Sequence, residues 1–197
     1  MSAGTTKHRV VEVAMVAFAD RGVAGTSLDD LARQVGMTKQ AILYHFGSKD
    51  GLVGAVLEQG ARDLIEVLAA AGAAAPAGWD RVEATVRAAF GLAVRRPELV
   101  GLLRELGRLG PERTGQVVSL LQPMIDAAVG ALQSGMDDGR LRRSDPRLVL
   151  VSAYAIITGV VADTGVLRAV GLELNLKLAV DLRRAVLAFL RAALLPE

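Results

Sequence analysis

The side chains best suited to chemistry in this sequence lie in a short segment near the N-terminus. Lys39 and Gln40 stand side by side at its start. A lysine ammonium group can donate to guanine O6 and N7, and a glutamine amide can pair with adenine N6 and N7. Groups that bind phosphate oxygens surround this pair; they are Thr38, Tyr44, His45 and Lys49. The combination indicates a surface that contacts DNA, with Lys39 and Gln40 reading base edges.

Two of these side chains also have a purely structural interpretation. Tyr44 and His45 could simply finish a short helix against the next one. The helix-turn-helix pattern around them favours the DNA-contacting interpretation instead. Phe46 is an aromatic residue at an inward helical position, so we predict that it belongs to the hydrophobic core and not to the site.

The rest of the composition argues against several kinds of active site. The chain has no cysteine, and His8 and His45 are its two histidines. Thiolate zinc sites, cysteine nucleophiles and histidine metal clusters are therefore not expected. We also find no glycine-rich phosphate loop, no paired histidine and carboxylate, and no activated nucleophile. We expect a protein that is not an enzyme and that uses neither a cofactor nor a metal ion.

Charge and hydropathy place few further limits on the chain. The formal net charge is +2, and the first fifty residues carry six basic and five acidic side chains. Bulk charge therefore gives no independent sign of nucleic-acid binding. The longest uncharged run, Leu148 to Ala162, is shorter than the roughly 20 apolar residues that cross a membrane. No apolar signal region is recognisable, so we expect a cytoplasmic protein with no membrane partner.

Helical periodicity dominates the sequence and predicts an all-α fold of about nine helices. Ser27, followed three residues later by Asp30, has the pattern of a helix N-cap, and Gly36 ends that helix. Thr38 then caps the short helix that carries Lys39. The predicted helices cover residues 7–20, 28–35, 39–46, 49–71, 79–94, 97–109, 111–136, 146–170 and 174–195.

The spacing of Ala32, Gly36 and Ile42 is typical of a helix-turn-helix. The small residue lets two helices approach, the glycine makes the turn, and the aliphatic residue of the second helix packs inward. The helix N-termini beside Ser27 and Ser48 would add partial positive charge for phosphates, so Ser27 joins the predicted DNA contacts.

The stretch from Leu31 to Leu52 resembles the DNA-binding signature of the TetR family of transcriptional regulators. The resemblance extends back through Thr26-Ser27 and covers roughly the first 55 residues. Two positions depart from the family pattern: Leu43 stands where an aromatic residue is common, and Gly47 where proline is common. The resemblance implies a DNA-binding domain at residues 1–50 and a helical ligand-binding and dimerisation domain at residues 51–197.

Family resemblance further implies that the last two long helices form a homodimer and that the middle helices enclose a ligand pocket. The predicted helix from Pro146 is apolar almost all round, which fits burial in a dimer, although packing within one chain would also cover it. Polar side chains that could orient a ligand are Arg104, Gln122, Asp126, Tyr154 and Thr158.

These features predict a ligand-responsive transcriptional regulator that binds double-stranded, palindromic operator DNA as a homodimer. The expected activity is repression, relieved by a small hydrophobic effector. One alternative is a regulator that activates, or that responds to a protein partner instead of a small molecule. Another is a structural helical dimer in which the helix-turn-helix is only a packing device.

Overall fold

The computed structural model describes residues 3–162, 164–173 and 175–196. These residues form helices and no β-strand, as the periodicity predicts. In chain order the helices are α1 (Ala3–Arg21), α2 (Leu28–Val35), α3 (Lys39–Phe46), α4 (Lys49–Ala74), α5 (Trp79–Arg95), α6 (Pro97–Leu106), α7 (Pro111–Asp137), α8 (Pro146–Ala162), α9 (Thr164–Ala169) and α10 (Leu176–Leu194).

The structure departs from the predicted helix bounds by three residues or more at four places. The first is the start of α1, which lies at Ala3 and not at residue 7. α4 continues to Ala74, through alanines that were predicted to form a loop, because alanine has the highest helix propensity. α6 ends at Leu106, before Gly107, and so is shorter than the predicted 97–109. The range predicted as one helix, 146–170, contains α8 and α9, and Asp163 between them lies outside the described residues.

The described chain divides into two compact units. The first extends to Asp63 and also includes Arg96–Leu120. Its core combines apolar side chains of α1 to α4 with Leu102 of α6. The largest fully buried apolar side chains among them are Val10, Met15, Phe18, Leu31, Ile42, Leu52 and Val56. The predicted helix-turn-helix therefore shares its core with a helix much later in the sequence.

α6 packs closely on α1 within this first unit. A Cβ atom added at Gly101 would lie 2.5 Å from the Cβ atom of Ala19, so glycine is what allows the approach. Glu105 is buried, and its Oε1 atom accepts a hydrogen bond of 2.8 Å from the backbone N–H of Val23. Because Val23 follows α1, this carboxylate fixes the turn that leads into α2.

Arg96 precedes α6 and forms ion pairs with residues of three helices. Its guanidinium group lies 2.9 Å from Glu12 of α1 and 3.2 Å from Asp63 of α4, and it also pairs with Glu98 of α6. The hydrogen bond to Glu98 raises the pKa of Arg96, with further contributions from the charges of Glu12, Glu98 and Asp63 that burial partly offsets. Arg96 is therefore a charged link between α1, α4 and α6.

The second unit contains Leu64–Arg95 and the described residues after Leu120. One of its apolar clusters is built from α5 and α10 and contains Val86, Phe90, Val186, Leu187 and Leu190. A second cluster contains Leu132, Met136, Leu141 and Leu194. Trp79 packs against both, and its Nε1 atom donates a hydrogen bond to Glu83.

Within the described part of the chain, α7 is the one helix long and apolar enough to cross a membrane by length and composition alone. It has 27 residues, and its most apolar window has a mean hydropathy of 1.2. Pro123 lies inside it, and Arg113 near its start pairs with Asp50 of α4 in the first unit. A single helix of this kind also occurs in soluble proteins, so it does not indicate a membrane span.

Candidate DNA-binding surface

The turn between α2 and α3 has the geometry that the sequence predicts. Gly36 adopts a left-handed conformation with φ of 68°, which an L side chain rarely adopts. The N–H of Met37 donates to the Ala32 carbonyl at 2.9 Å, which satisfies the end of α2. Ile42 is fully buried against the core, so α3 is anchored on one side. The predicted bounds of α2 and α3 are confirmed.

The opposite side of α3 is exposed. Thr38, Lys39 and Gln40 are exposed at its start, and Tyr44 is 87% exposed near its end. Buried and exposed residues therefore separate cleanly: Ile42 faces the core, whereas the predicted base-reading residues face solvent. An exposed helix start with these side chains can enter a major groove.

Two predicted phosphate contacts are helix caps. Thr38 Oγ1 accepts a hydrogen bond of 3.2 Å from the N–H of Ala41, and a hydroxyl group that accepts can still donate to a phosphate. Ser27 Oγ likewise accepts a hydrogen bond of 3.0 Å, from the N–H of Asp30, and its hydroxyl also donates to Asp30 Oδ2 at 2.6 Å, so a phosphate would compete with that carboxylate. This bond, followed by those from Arg33, lowers the pKa of Asp30 below its usual value of 3.8.

Lys39 has a partner that the sequence pattern did not reveal. Its Nζ atom lies 3.0 Å from Oδ2 of Asp29, a residue in the first turn of α2. The side chains are 50% and 63% exposed, respectively, so the ion pair is at the surface. The predicted base-reading lysine is thus held by a carboxylate from the neighbouring helix.

An aromatic cluster closes α3. The rings of Tyr44 and His45 meet edge to face at 5.5 Å, and those of His45 and Phe46 at 6.3 Å. Phe46 packs against the core, as predicted, and Lys7 Nζ of α1 lies 5.6 Å from the centre of its ring. His45 is half-buried, so its contact with DNA depends on the edge it leaves exposed.

The start of α4 is fixed against the end of α3. Ser48 Oγ accepts a hydrogen bond of 3.0 Å from the N–H of Gly51, which is the cap that the sequence predicts. A Cβ atom at Gly51 would lie 2.1 Å from the Phe46 carbonyl oxygen, so only glycine permits this approach. Lys49 is half-buried at this corner, beside the N-terminus of α4.

The five residues predicted to orient a ligand lie at exposed or half-buried positions. Arg104 is exposed in the first unit, on α6. In the second unit, Gln122 and Asp126 are exposed and share a hydrogen bond of 2.8 Å on α7. Tyr154 is exposed on α8, and Thr158 donates to the Tyr154 carbonyl at 2.7 Å. Their role in ligand binding stays a prediction.

Two contacts of α2 and α3 with neighbouring helices were missed at the sequence level. Asp29 is the ion-pair partner of Lys39, ten positions away in a different helix. Arg9 of α1 donates to the backbone carbonyl of Val35, at the end of α2. The sequence does show that Asp29 and Lys39 lie on helices that are expected to pack together. No spacing rule, however, predicts that these two side chains meet.

Comparison with known proteins identifies the first part of the chain. Residues 10–56 match the family model described as bacterial regulatory proteins, tetR family. The HTH-type transcriptional regulator TtgR of Pseudomonas putida is 45% identical over 53 residues, which are 27% of this chain and 25% of that protein. The HTH-type transcriptional repressor SCO4008 of Streptomyces coelicolor is 32% identical over 98 residues, 50% of this chain and 47% of that protein. The chain therefore spans between a quarter and about half the length of these relatives.

The fold is similar over nearly the whole chain. The crystal structure of AibR in complex with isovaleryl coenzyme A and operator DNA has a TM-score of 0.77 and 20% identity, and the match covers 93% of this chain and 97% of that one. At this identity the likeness concerns the fold. The relatives found by sequence are regulators of transcription and not enzymes. Residues 10–56 of the chain are therefore similar to the DNA-binding segment of the tetR family, and its all-helical fold is similar to that of a regulator crystallised with operator DNA.

Proposed function

We propose that this chain is a transcriptional repressor that binds a palindromic operator as a homodimer and is released by a small hydrophobic effector. The observation that carries the proposal is the start of α3, where Lys39 and Gln40 are exposed beside a helix-turn-helix core. It is not an enzyme on this account, and it acts in the cytoplasm, where its DNA is.

Phosphate contacts surround the base-reading pair. Thr38, Tyr44, His45 and Lys49 lie on or next to α3, and each offers a hydrogen-bond donor or a positive charge. Contacts to phosphates fix the register of the protein on DNA, while Lys39 and Gln40 supply the sequence preference. Ser27 caps the N-terminus of α2, which adds partial positive charge for a phosphate. To donate to that phosphate, the Ser27 hydroxyl must give up its hydrogen bond to Asp30.

The exposed apolar face of α8 supports the homodimer. Leu148 and Val151 are 64% and 62% exposed, and Tyr154 follows after the same spacing, so the three side chains share one face. On α10, Phe189 is also exposed. Apolar faces of this kind in a regulator are best covered by a second copy, which yields a two-fold axis and hence two recognition helices. Two such helices would read a palindrome.

The effector is proposed to bind in the second unit. α5, α8 and α10 are lined by apolar side chains there, including Phe90 and Ile156, which suits a hydrophobic molecule. AibR, which has the same fold, is described in complex with isovaleryl coenzyme A. Within this proposal the ligand-orienting residues are Gln122, Asp126, Tyr154 and Thr158. Arg104 of α6 belongs to the first unit and is not part of the proposed site.

We propose that Arg96 transmits the movement caused by the effector to the helices that bind DNA. It connects Asp63 of α4 and Glu98 of α6 to Glu12 of α1. A shift of α4 on effector binding would displace Asp63. Because Arg96 pairs with both Asp63 and Glu12, the shift would also move α1 and the helices packed on it. The distance between the two recognition helices of the dimer would then depart from the roughly 34–36 Å between successive major grooves.

The test is a mobility-shift titration of the purified protein on the intergenic DNA upstream of its own gene, at fixed salt, with random DNA as competitor. We expect a specific shift that K39A weakens by about 5- to 150-fold, because a good base contact is worth about 1–3 kcal/mol. K177A is the matched control: it removes the same charge from an exposed residue of the second unit. Equal binding by K39A and K177A would refute the assigned surface.

Activation, or response to a protein partner, is the alternative function. This alternative predicts the same DNA binding, so the mobility shift does not distinguish it from repression. Transcription in vitro from the bound promoter distinguishes an activator from a repressor. Repression predicts less transcript with protein and recovery when an effector is added, whereas more transcript with protein would favour an activator.

A further inference from the structure

We propose that Asp29 is a positioning residue that sets DNA specificity, by holding Lys39 for base contact and neutralising its charge toward phosphates. This inference rests on the proposed function, because it assumes that α3 enters the major groove. It concerns a residue outside the predicted contact set, on the helix that precedes the recognition helix.

The geometry brings the two side chains together across the turn. Lys39 is the first residue of α3, and Asp29 is the second residue of α2. Their charged atoms are 3.0 Å apart, which is the distance of a direct, charge-assisted hydrogen bond. Both side chains are half exposed or more, so the pair lies at the protein surface and not in the core.

The electrostatics of α3 explain why Lys39 needs a partner. The N-terminus of a helix carries partial positive charge and is an unfavourable place for a cation. α3 has no acidic residue in its first turn, so the helix does not supply a counter-charge itself. Asp29 supplies it from α2.

The neighbouring carboxylate is already engaged elsewhere. Asp30 accepts hydrogen bonds from the hydroxyl of Ser27 and from Arg33, both close to it in sequence. Asp29 is therefore the acidic side chain of this turn that faces Lys39. The two adjacent acids thus have different tasks: Asp30 completes the cap of α2, and Asp29 holds the lysine of α3.

An ion pair of this kind reduces the attraction of a lysine to phosphates more than it reduces the ability of the lysine to contact a base. Attraction to phosphates depends on net charge, which the pair reduces to about zero. Base contact depends on where the N–H donors point, and an ammonium group bound to one carboxylate still has two donors left. Asp29 therefore weakens binding to non-specific DNA more than it weakens binding to a site in which a guanine can accept from Lys39. The ratio of specific to non-specific affinity rises as a result.

The experiment compares wild type and D29N on two duplexes. One is the duplex that wild-type protein enriches from a randomised library, and the other is a scrambled duplex of the same composition. On the scrambled duplex we expect D29N to bind roughly three- to fivefold more tightly, as for the loss of one surface ion pair. Its slope of log K against log salt should steepen by about 0.9, because one more phosphate is neutralised.

On the enriched duplex we expect D29N to change affinity by less than about twofold, so that the specificity ratio falls. D29E keeps the charge on a longer side chain and should retain most of the ratio. D20N is the matched control, since it removes an acidic charge from an exposed residue of α1 in the same unit. It should leave both the ratio and the salt slope unchanged.

Dependence on Lys39 is the sharpest part of the test. In a K39A background, D29N frees no ammonium group for a phosphate, so the slope of log K against log salt should not steepen beyond that of K39A alone. An equal steepening with and without Lys39 would overturn the inference, because Asp29 would then act without Lys39. An unchanged specificity ratio in D29N would overturn it as well.

Failure of the inference differs from failure of the proposed function. If wild-type protein enriches a duplex and prefers it over the scrambled one, the proposed function stands whatever D29N does. If wild type enriches no duplex from the library, there is no specificity for Asp29 to set, and both proposals fall together.

Discussion

Replacement of Arg96 by glutamine should destabilise the protein far more than loss of an ordinary surface ion pair. Arg96 is surrounded by Glu12, Asp63 and Glu98, and the last two have side chains that are only 17% and 15% exposed. Without the guanidinium group, three carboxylates remain close together with no positive partner at the centre. Their repulsion adds to the loss of the hydrogen bonds.

The size of the effect lies between two limits. An exposed pair is worth about 0.2–1 kcal/mol, and breaking a fully buried pair costs about 3–5 kcal/mol. Arg96 is 30% exposed, so we expect R96Q to lower the free energy of unfolding by about 2–3 kcal/mol. For a chain of this size that corresponds to roughly 4–12 °C in Tm.

The assay is urea unfolding followed by circular dichroism. R87Q is the matched control, because it breaks an exposed pair with Glu83 within α5, worth about 0.3–0.5 kcal/mol. Removing one carboxylate as well, in R96Q/E12Q, should restore part of the stability that R96Q loses. The reasoning is refuted if R96Q costs no more than R87Q, or if the double variant is less stable than R96Q.

Three further changes have defined outcomes in the same assay. G51A should cost about 1–3 kcal/mol, since its Cβ atom would lie 2.1 Å from the Phe46 carbonyl oxygen. E105A should cost about 1–3 kcal/mol, because the N–H of the half-buried Val23 loses its acceptor. The E83Q variant should be less stable than the wild-type protein at neutral pH and about equally stable at acidic pH. Hydrogen bonding lowers the pKa of Glu83 in the folded state, so its contribution is present above the ordinary value of 4.5 and disappears as the pH falls.

Each change has a control. Gly115 has open space around its Cβ position, so G115A in α7 should stabilise by about 0.5–1 kcal/mol, and a loss there would argue against the steric account. E66A removes an exposed carboxylate and should be nearly neutral. For Glu83, Arg87 is the largest cause of the lowered pKa, so R87Q should flatten the same pH dependence; a pH-independent effect of E83Q would contradict the assignment.

The DNA-binding helices were predicted closely because their ends depend on local chemistry. Ser27 and Thr38 cap α2 and α3, and Gly36 turns the chain between them. Each of these roles follows from a residue type and a spacing of a few positions. The exposed position of Lys39 and the buried position of Ile42 then follow from helical periodicity alone.

Long-range ion pairs could not be predicted in this way. Arg96 and Glu12 are 84 positions apart, and nothing in the helical pattern links them. Asp29 and Lys39 are closer in sequence, but their contact depends on the angle between two helices. Periodicity states which face of a helix is buried and leaves open which charged groups meet on the other face.

Ligand-orienting residues are the least constrained by sequence. A pocket depends on the space between helices, whereas composition reports only which side chains are polar. Gln122 and Asp126, for example, hydrogen-bond to each other on the exposed side of α7, a pairing that their spacing of four allows.

The claim that the start of α3 reads DNA is tested most directly by selecting duplexes from a randomised library with the wild-type protein and with K39A. The account predicts that wild type enriches a palindrome whose half-sites are about 10 base pairs apart, or a multiple of that spacing. It also predicts that K39A loses the preference at one position of each half-site. Enrichment of the same sequence by both proteins, or of no sequence by wild type, would contradict it.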